Sequence, residues 1–202
     1  MARKLRIWYK GAVYHVMCRG NNKRNIFMDS QDYMVFLAIL HEAKIKFNFK
    51  ILCYCLMTNH IHLHIKTSDE AIGKIMKKIN MLYAIYFNQK YNLIGHLFQG
   101  RYRSELIDQD KYMLEISRYI HLNPVRANLV QTPEEYQWSS YKMYIGLRKE
   151  TLIDTSLVLA YFNGKNPRDT YKSFVERVLL DDYGGGSDPQ KDQRGFSAAG
   201  EE

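Results

Sequence analysis

The sequence predicts an α+β fold: an antiparallel sheet of split β-α-β form with helices on one face, followed by a C-terminal helical extension. Three observations carry that prediction. β-prone runs and helix-spaced apolar runs alternate in the order β-α-β-β-α-β, with a further helix after them. Lys50–Met57 (KILCYCLM) and His60–Lys66 (HIHLHIK) are parted by the polar pair Thr58-Asn59, which reads as a hairpin. The chain has 202 residues, 46% of them hydrophobic, enough to bury a core.

Taken in order, Val13–Arg19 (VYHVMCR) is β-prone and runs into the turn Gly20-Asn21-Asn22. Asp29 or Ser30 can cap a helix in which Tyr33, Phe36, Leu37 and Leu40 fall at helical spacing. The hairpin follows. Thr67-Ser68-Asp69-Glu70 has the form of a capping box. It opens a helix with an apolar stripe of Ile72, Ile75, Met76, Ile79, Leu82 and Tyr86, and Lys74, Lys77 and Lys78 lie off that stripe, as a solvated basic face or as a DNA contact. Phe98–Ile107 is a fourth strand, on which Arg101 and Arg103 alternate with Tyr102. Asp110 caps a helix through Leu122 that Pro124 stops. This is the ferredoxin-like split arrangement. Residues 1–148 form that domain and 149–182 a helical extension, broken near Gly164 and Pro167. Residues 183–202, almost without apolar content, read as a disordered tail.

Lys and Arg number 29 against 21 Asp and Glu, a formal charge of +8 that favours a polyanionic partner. Cys18, Cys53 and Cys55 form neither a C-x-x-C pair nor an even set, so no disulfide framework or zinc knuckle is expected. The first residues lack the apolar segment of a secretory signal, and no stretch of 18 apolar residues occurs. An intracellular, cytoplasmic setting is the expectation.

His60, His62 and His64 stand at every second position of a strand, so their side chains share one face while Ile61, Leu63 and Ile65 turn to the other. Two imidazoles on one strand face can bind one divalent ion. His64, farthest along, is open to either role, ligand or neighbour. Tyr119 and Asn123 are four apart, on one helix face if the helix reaches that far, with Asn123 before Pro124 at the helix end, whereas His121 points about 200° away from Tyr119 by the 3.6-residue turn. With 16 tyrosines in the chain, position alone does not single out Tyr119.

Four elements in order resemble the REP-associated tyrosine transposases, a branch of the single-tyrosine HUH nucleases. They are the opening Tyr14–Asn22 (YHVMCRGNN), His60-Ile61-His62 after LMTN, the block Tyr119–Val130 (YIHLNPVRANLV), and Trp138–Tyr141 (WSSY), together spanning about residues 10–145. The resemblance implies that His60 and His62 hold a divalent ion, Mg²⁺ or Mn²⁺. Asn123 is implied as the third ligand, in the place where related enzymes carry a glutamine four residues after the tyrosine. Tyr119 is implied as the nucleophile, leaving a 5′-phosphotyrosine link and a free 3′-OH that can later rejoin strands. The implied substrate is single-stranded DNA folded into palindromic hairpins, and relatives include both monomers and homodimers.

The chemistry explains the residue types. A phosphodiester is anionic and repels a nucleophile, so a metal ion is needed to draw charge from it. Tyrosine, with an ordinary pKa near ~10, needs a cation nearby to lose its proton. Candidate DNA contacts are Arg19, Asn21, Asn22, Lys23 and Arg24 after the first strand, Arg101 and Arg103 on the fourth, and Arg126 after Tyr119. Two other readings stand beside this one. A metal hydrolase would use the same histidines and a water, and a non-catalytic nucleic-acid-binding module would use exposed sheet aromatics.

Overall fold

In the computed structural model, which describes residues 7–108 and 110–184, four strands form one antiparallel sheet. They are β1 (Val13–Arg19), β2 (Lys50–Met57), β3 (His60–Lys66) and β4 (Arg103–Ile107), in the order β2-β3-β1-β4. The long helices are α1 (Ser30–Phe47), α2 (Ile72–Lys90) and α3 (Asp110–Arg126). Short α4 (Tyr141–Tyr144) and α5 (Ser156–Leu159) precede α6 (Pro167–Gly184). This is the expected split β-α-β-β-α-β order. Among the described residues no helix is long and apolar enough to cross a membrane.

Strand alternation gives the sheet two unlike faces. Tyr14, Val16 and Cys18 of β1 stand level with Ile65, Leu63 and Ile61 of β3, and all six are buried. They face α1 and α2, where Phe36, Leu40, Ile75, Ile79 and Tyr83 close the core; Cys18 Sγ lies 3.3 Å from Asn80 Nδ2 of α2. Each such aliphatic or aromatic side chain contributes about 1.5–3 kcal/mol by leaving water.

The other face is not bare. α3 crosses it, with Tyr119 packed against His62 and His15, so the helices lie on both faces and not on one as the sequence suggested. The physical reason is the composition of α3. Met113, Ile116, Ser117, Ile120 and His121 recur at three- and four-residue spacing and form a buried stripe, shared between the second face of the sheet and, at Ser117 and His121, Tyr171 of α6.

Local chemistry explains where each helix starts and stops. Asp29 caps α1 in a full capping box with Asp32. Asp32 is itself buried and accepts from Tyr86, Tyr91 and Lys90, which ties the start of α1 to the end of α2. The expected box before α2 does not form. The helix opens at Ile72 with Ala71 as its cap, because Thr67 Oγ1 donates to the Ala12 carbonyl and Glu70 pairs with Lys74. The buried stripe of α2 is also rotated slightly, ending in Tyr83 and Phe87 in place of Leu82 and Tyr86.

Two further expectations change. β4 begins at Arg103, because Gly100 takes φ +65° and interrupts the pairing; before it, Phe98 makes only an isolated bridge with Gly20. Arg101 therefore lies outside the strand. α3 runs through Pro124 to Arg126. Proline so near the end costs just one carbonyl partner, and Asn128, at φ 54°, then turns the chain away.

The chain after α3 is laid against the same layer. Trp138 stacks on Tyr33 at 4.3 Å, and Tyr33 on Phe27 at 4.2 Å. Leu56 N–H donates to Trp138 O, and Ser140 N–H to Tyr54 O, so this segment covers the outer edge of β2. α6 packs on α3 through Tyr171 and Phe174, and Arg168 donates to the carbonyls of Met143 and Tyr144. Residues 1–6 and 185–202, including most of the expected tail, lie outside the described residues; Tyr183 and Gly184 belong to α6.

Candidate active site

The antiparallel register assembles rows of side chains across the face under α3. One row runs Cys55, His62, Met17, Arg103 over β2, β3, β1 and β4; the next runs Cys53, His64, His15, Glu105. Met57, His60 and Arg19 form a third, at the end of the sheet where the strands turn. The three expected histidines do share this face, and a fourth joins them. His15 Nε2 lies 2.9 Å from His62 Nδ1, with the two rings stacked at 5.2 Å. His15 was missed because one β-prone run says nothing about its partner strand; the signal was its place in the matched opening YHVMCRGNN.

α3 brings Tyr119 to the same place. Its ring stands edge-on to His62 at 5.5 Å and to His15 at 6.0 Å, half-buried. The Arg126 guanidinium lies 5.4 Å from the centre of the Tyr119 ring. Asn123, one turn on, donates from Nδ2 to the Tyr119 carbonyl at 2.9 Å, which leaves Oδ1 as its acceptor end. His121 is turned away, as its spacing required. It is fully buried between Tyr171 Oη at 2.7 Å and Ser140 Oγ at 2.8 Å, and so pins the WSSY segment and α6 to α3. His64 is also fully buried, and neither of its ring nitrogens finds a hydrogen-bond partner among the described residues.

Burial holds these imidazoles neutral. It lowers His60 to about 4, with help from the Arg19 charge, and pushes His62 well below its ordinary value, with His15 and His60 adding to the effect. Neutral imidazole is the form that can bind an ion. His60 and His62 rings are 5.0 Å apart, and each has its Nδ1 engaged, by Asn59 Oδ1 and by His15 Nε2, so Nε2 is the end each could present. Among the described residues no three His, Cys, Asp or Glu side chains stand where they could hold an ion. The donor atoms these residues could offer are the two imidazole nitrogens and, one turn beyond Tyr119 on α3, the Asn123 amide oxygen.

The same burial makes a stability prediction. His15 is lowered to about 4, and His64 and His121 to about 3, by desolvation first. Below about pH 6.5 the unfolded chain takes up protons that the folded one refuses, so stability is full above that pH and is lost as pH falls toward 3. Each such histidine costs up to about 1.4 kcal/mol per pH unit in that window. The melting temperature followed by circular dichroism should drop steadily from pH 7 to pH 4; a flat profile would mean that these rings are not held neutral.

The candidate DNA contacts divide. Arg19, Asn22, Lys23, Arg101, Arg103 and Arg126 are exposed, and Asn21 and Arg24 are half-exposed. Arg24 is engaged within the protein, since its guanidinium donates to the His96 carbonyl at 2.8 Å. The loop after β1 is shaped by Gly20 N–H bonding Asn59 O, by Asn21 N–H bonding Leu97 O, and by Asn22 and Lys23, both at positive φ. Gly20 has no room for a side chain: a Cβ would stand 2.1 Å from the Arg24 carbonyl oxygen and 2.9 Å from Ile26 Cγ2. Gly20→Ala should therefore destabilise by at least ~1–3 kcal/mol and lower the melting temperature measured by calorimetry. An unchanged melting temperature would mean that the loop takes another course.

Similarity to known proteins follows the same lines. No curated protein matches the chain. Among solved structures, a REP-associated tyrosine transposase bound to a REP hairpin superposes with a TM-score of 0.61 at 19% identity, covering 78% of this chain and 96% of that one, and shares its fold. A chain of Deinococcus radiodurans R1, provisionally named a transposase, reaches a TM-score of 0.43 at 15% identity over 59% of this chain and 95% of its own. The tRNA(His) guanylyltransferase of Saccharomyces cerevisiae reaches 0.45 at 10% identity over 91% and 82%. Neither of these last two adds to the argument. Residues 9–123, more than half of the sequence, match the family model described as transposase, IS200-like, and the chain belongs to that family.

Proposed function

We propose that this chain is a single-stranded DNA endonuclease and strand transferase of the REP-associated type, which recognises a DNA hairpin and holds the cut 5′ end on Tyr119. The observation that carries the reading is the approach of the Tyr119 ring to His62, at 5.5 Å, with His60 beside it and Asn123 one turn along the same helix. The family membership supports a DNA-transferring enzyme, and the hairpin in the structural relative supports a hairpin as the substrate form.

His60, His62 and Asn123 would hold a Mg²⁺ or Mn²⁺ ion, which supplies charge withdrawal from the scissile phosphate and its alignment. Tyr119 Oη attacks the phosphorus. Its O–P bond forms as the bond to the 3′ oxygen breaks, the phenolic proton is given up, and an equivalent proton ends on the 3′ oxygen. The ester on Tyr119 conserves the bond energy, so a 3′-OH can later attack it and rejoin strands. Arg126, over the Tyr119 ring, faces the negative charge gathered there. Arg19 and Arg103 stand on the same sheet face and would meet the DNA backbone with Asn21, Asn22, Lys23 and Arg101.

The test is a denaturing gel of the protein with 3′-end-labelled hairpin DNA and Mn²⁺ or Mg²⁺, since the fragment kept on Tyr119 is the one on the 3′ side of the cut. A labelled band at the mass of protein plus DNA is expected. Cut DNA without that band would favour a water-using hydrolase, and DNA bound but uncut under every ion would favour a binding module. The same DNA should bind less tightly as salt rises, with a log–log slope of about −0.7 per phosphate neutralised; a flat plot would remove the basic residues from the contact.

A further inference from the structure

We infer that Asn59 is a positioning residue for His60, one that fixes which ring nitrogen is offered to an ion and ties that choice to the loop after β1. The inference rests on the proposed metal-binding role of His60. Its argument is a chain of donors and acceptors. Asn59 Nδ2 lies 3.2 Å from the Lys23 carbonyl oxygen. A backbone carbonyl can only accept, so the Asn59 end that meets it must be the NH₂ group. The opposite end, Oδ1, is then the one 2.6 Å from His60 Nδ1. An amide oxygen can also only accept, so the hydrogen is on His60 Nδ1.

At pH 8, above the ordinary imidazole pKa of about 6.5, a neutral ring carries one such hydrogen. Nε2 is thereby left with its lone pair free. No other tautomer satisfies both contacts, whereas the corresponding bond between His15 and His62 can run in either direction. The Asn59 backbone is committed as well, since its carbonyl accepts from Gly20 N–H at 2.8 Å. The turn that separates β2 from β3 therefore holds the Gly20–Arg24 loop with one hand and His60 with the other, through a single residue. Partners of this kind fix ring orientation at metal sites, and their loss typically costs about 10- to 100-fold in metal affinity.

The experiment uses the full chain at pH 8, comparing wild type, Asn59→Ala and Asn59→Asp. Asp keeps the acceptor toward His60 and loses the donor toward Lys23. Long-range ¹H–¹⁵N spectra of histidine-labelled, metal-free protein report the tautomer, and calorimetric titration with MnCl₂ reports affinity. In wild type and Asn59→Asp, His60 should carry its hydrogen on Nδ1. In Asn59→Ala the tautomer should become mixed and Mn²⁺ affinity should fall by about 10- to 100-fold, with Asp restoring most of it. A wild-type His60 protonated on Nε2, or an Asn59→Ala protein that keeps both a pure Nδ1–H tautomer and full Mn²⁺ affinity, would overturn the inference. Wild-type protein with the expected tautomer and its loss in Asn59→Ala, yet no Mn²⁺ binding, would support the positioning and overturn the metal reading instead.

Discussion

Tyr119→Phe should abolish the covalent protein–DNA band while leaving hairpin affinity within about threefold of wild type, a change under ~1 kcal/mol. The reason is that the substitution removes one oxygen and little else. The ring keeps its edge contacts with His62 and His15 and its position under Arg126. On the proposed reading, substrate binding depends on charges spread over several strands and loops, none of which the phenylalanine replaces. A denaturing gel and a gel-shift titration on the same hairpin separate the two effects. An undiminished adduct would move the nucleophile to another tyrosine. Tyr112 is a poor substitute, because its hydroxyl donates to Glu105 at 2.6 Å and burial together with that carboxylate raises its pKa well above the ordinary value.

His62→Ala should lose metal-dependent cleavage, by on the order of a thousandfold if the ion supplies about 4 kcal/mol of charge stabilisation. Part of the effect on the protein will be structural. His62 is buried, and removing it leaves His15 Nε2 without its partner, at a cost of about 1–3 kcal/mol. The melting temperature must therefore be measured beside the activity, and cleavage assayed well below it. Hairpin binding without metal is expected to survive. Full cleavage in a folded His62→Ala protein would remove the metal assignment and leave Tyr119 to act without an ion.

How much of this site was legible beforehand depends on the range of each interaction. The alternation of His60, His62 and His64 and the four-residue step from Tyr119 to Asn123 are local repeats, which strand and helix geometry convert directly into shared faces. The turning away of His121 is local in the same sense. Gly20 could be read as a turn residue, but not as one hemmed in by the Arg24 carbonyl, because that contact exists only once the loop has closed. Arg24 looked like its neighbours in sequence; its bond to the His96 carbonyl separates it from them.

By itself, then, the sequence determined the order of strands and helices, the two unlike faces of β3, and the residues that a helix would present together. Periodicity carries that information because side-chain direction follows from backbone geometry within a few residues. The tertiary structure decided which face α3 would cover, that His15 would lie against His62, and that Asn59 would stand between His60 and the Lys23 carbonyl. Those are matters of strand register and of packing between segments far apart in sequence; His15 and His62 alone are 47 residues from one another. They are settled only when burial of the α3 stripe and the pairing of β1 with β3 are satisfied at once.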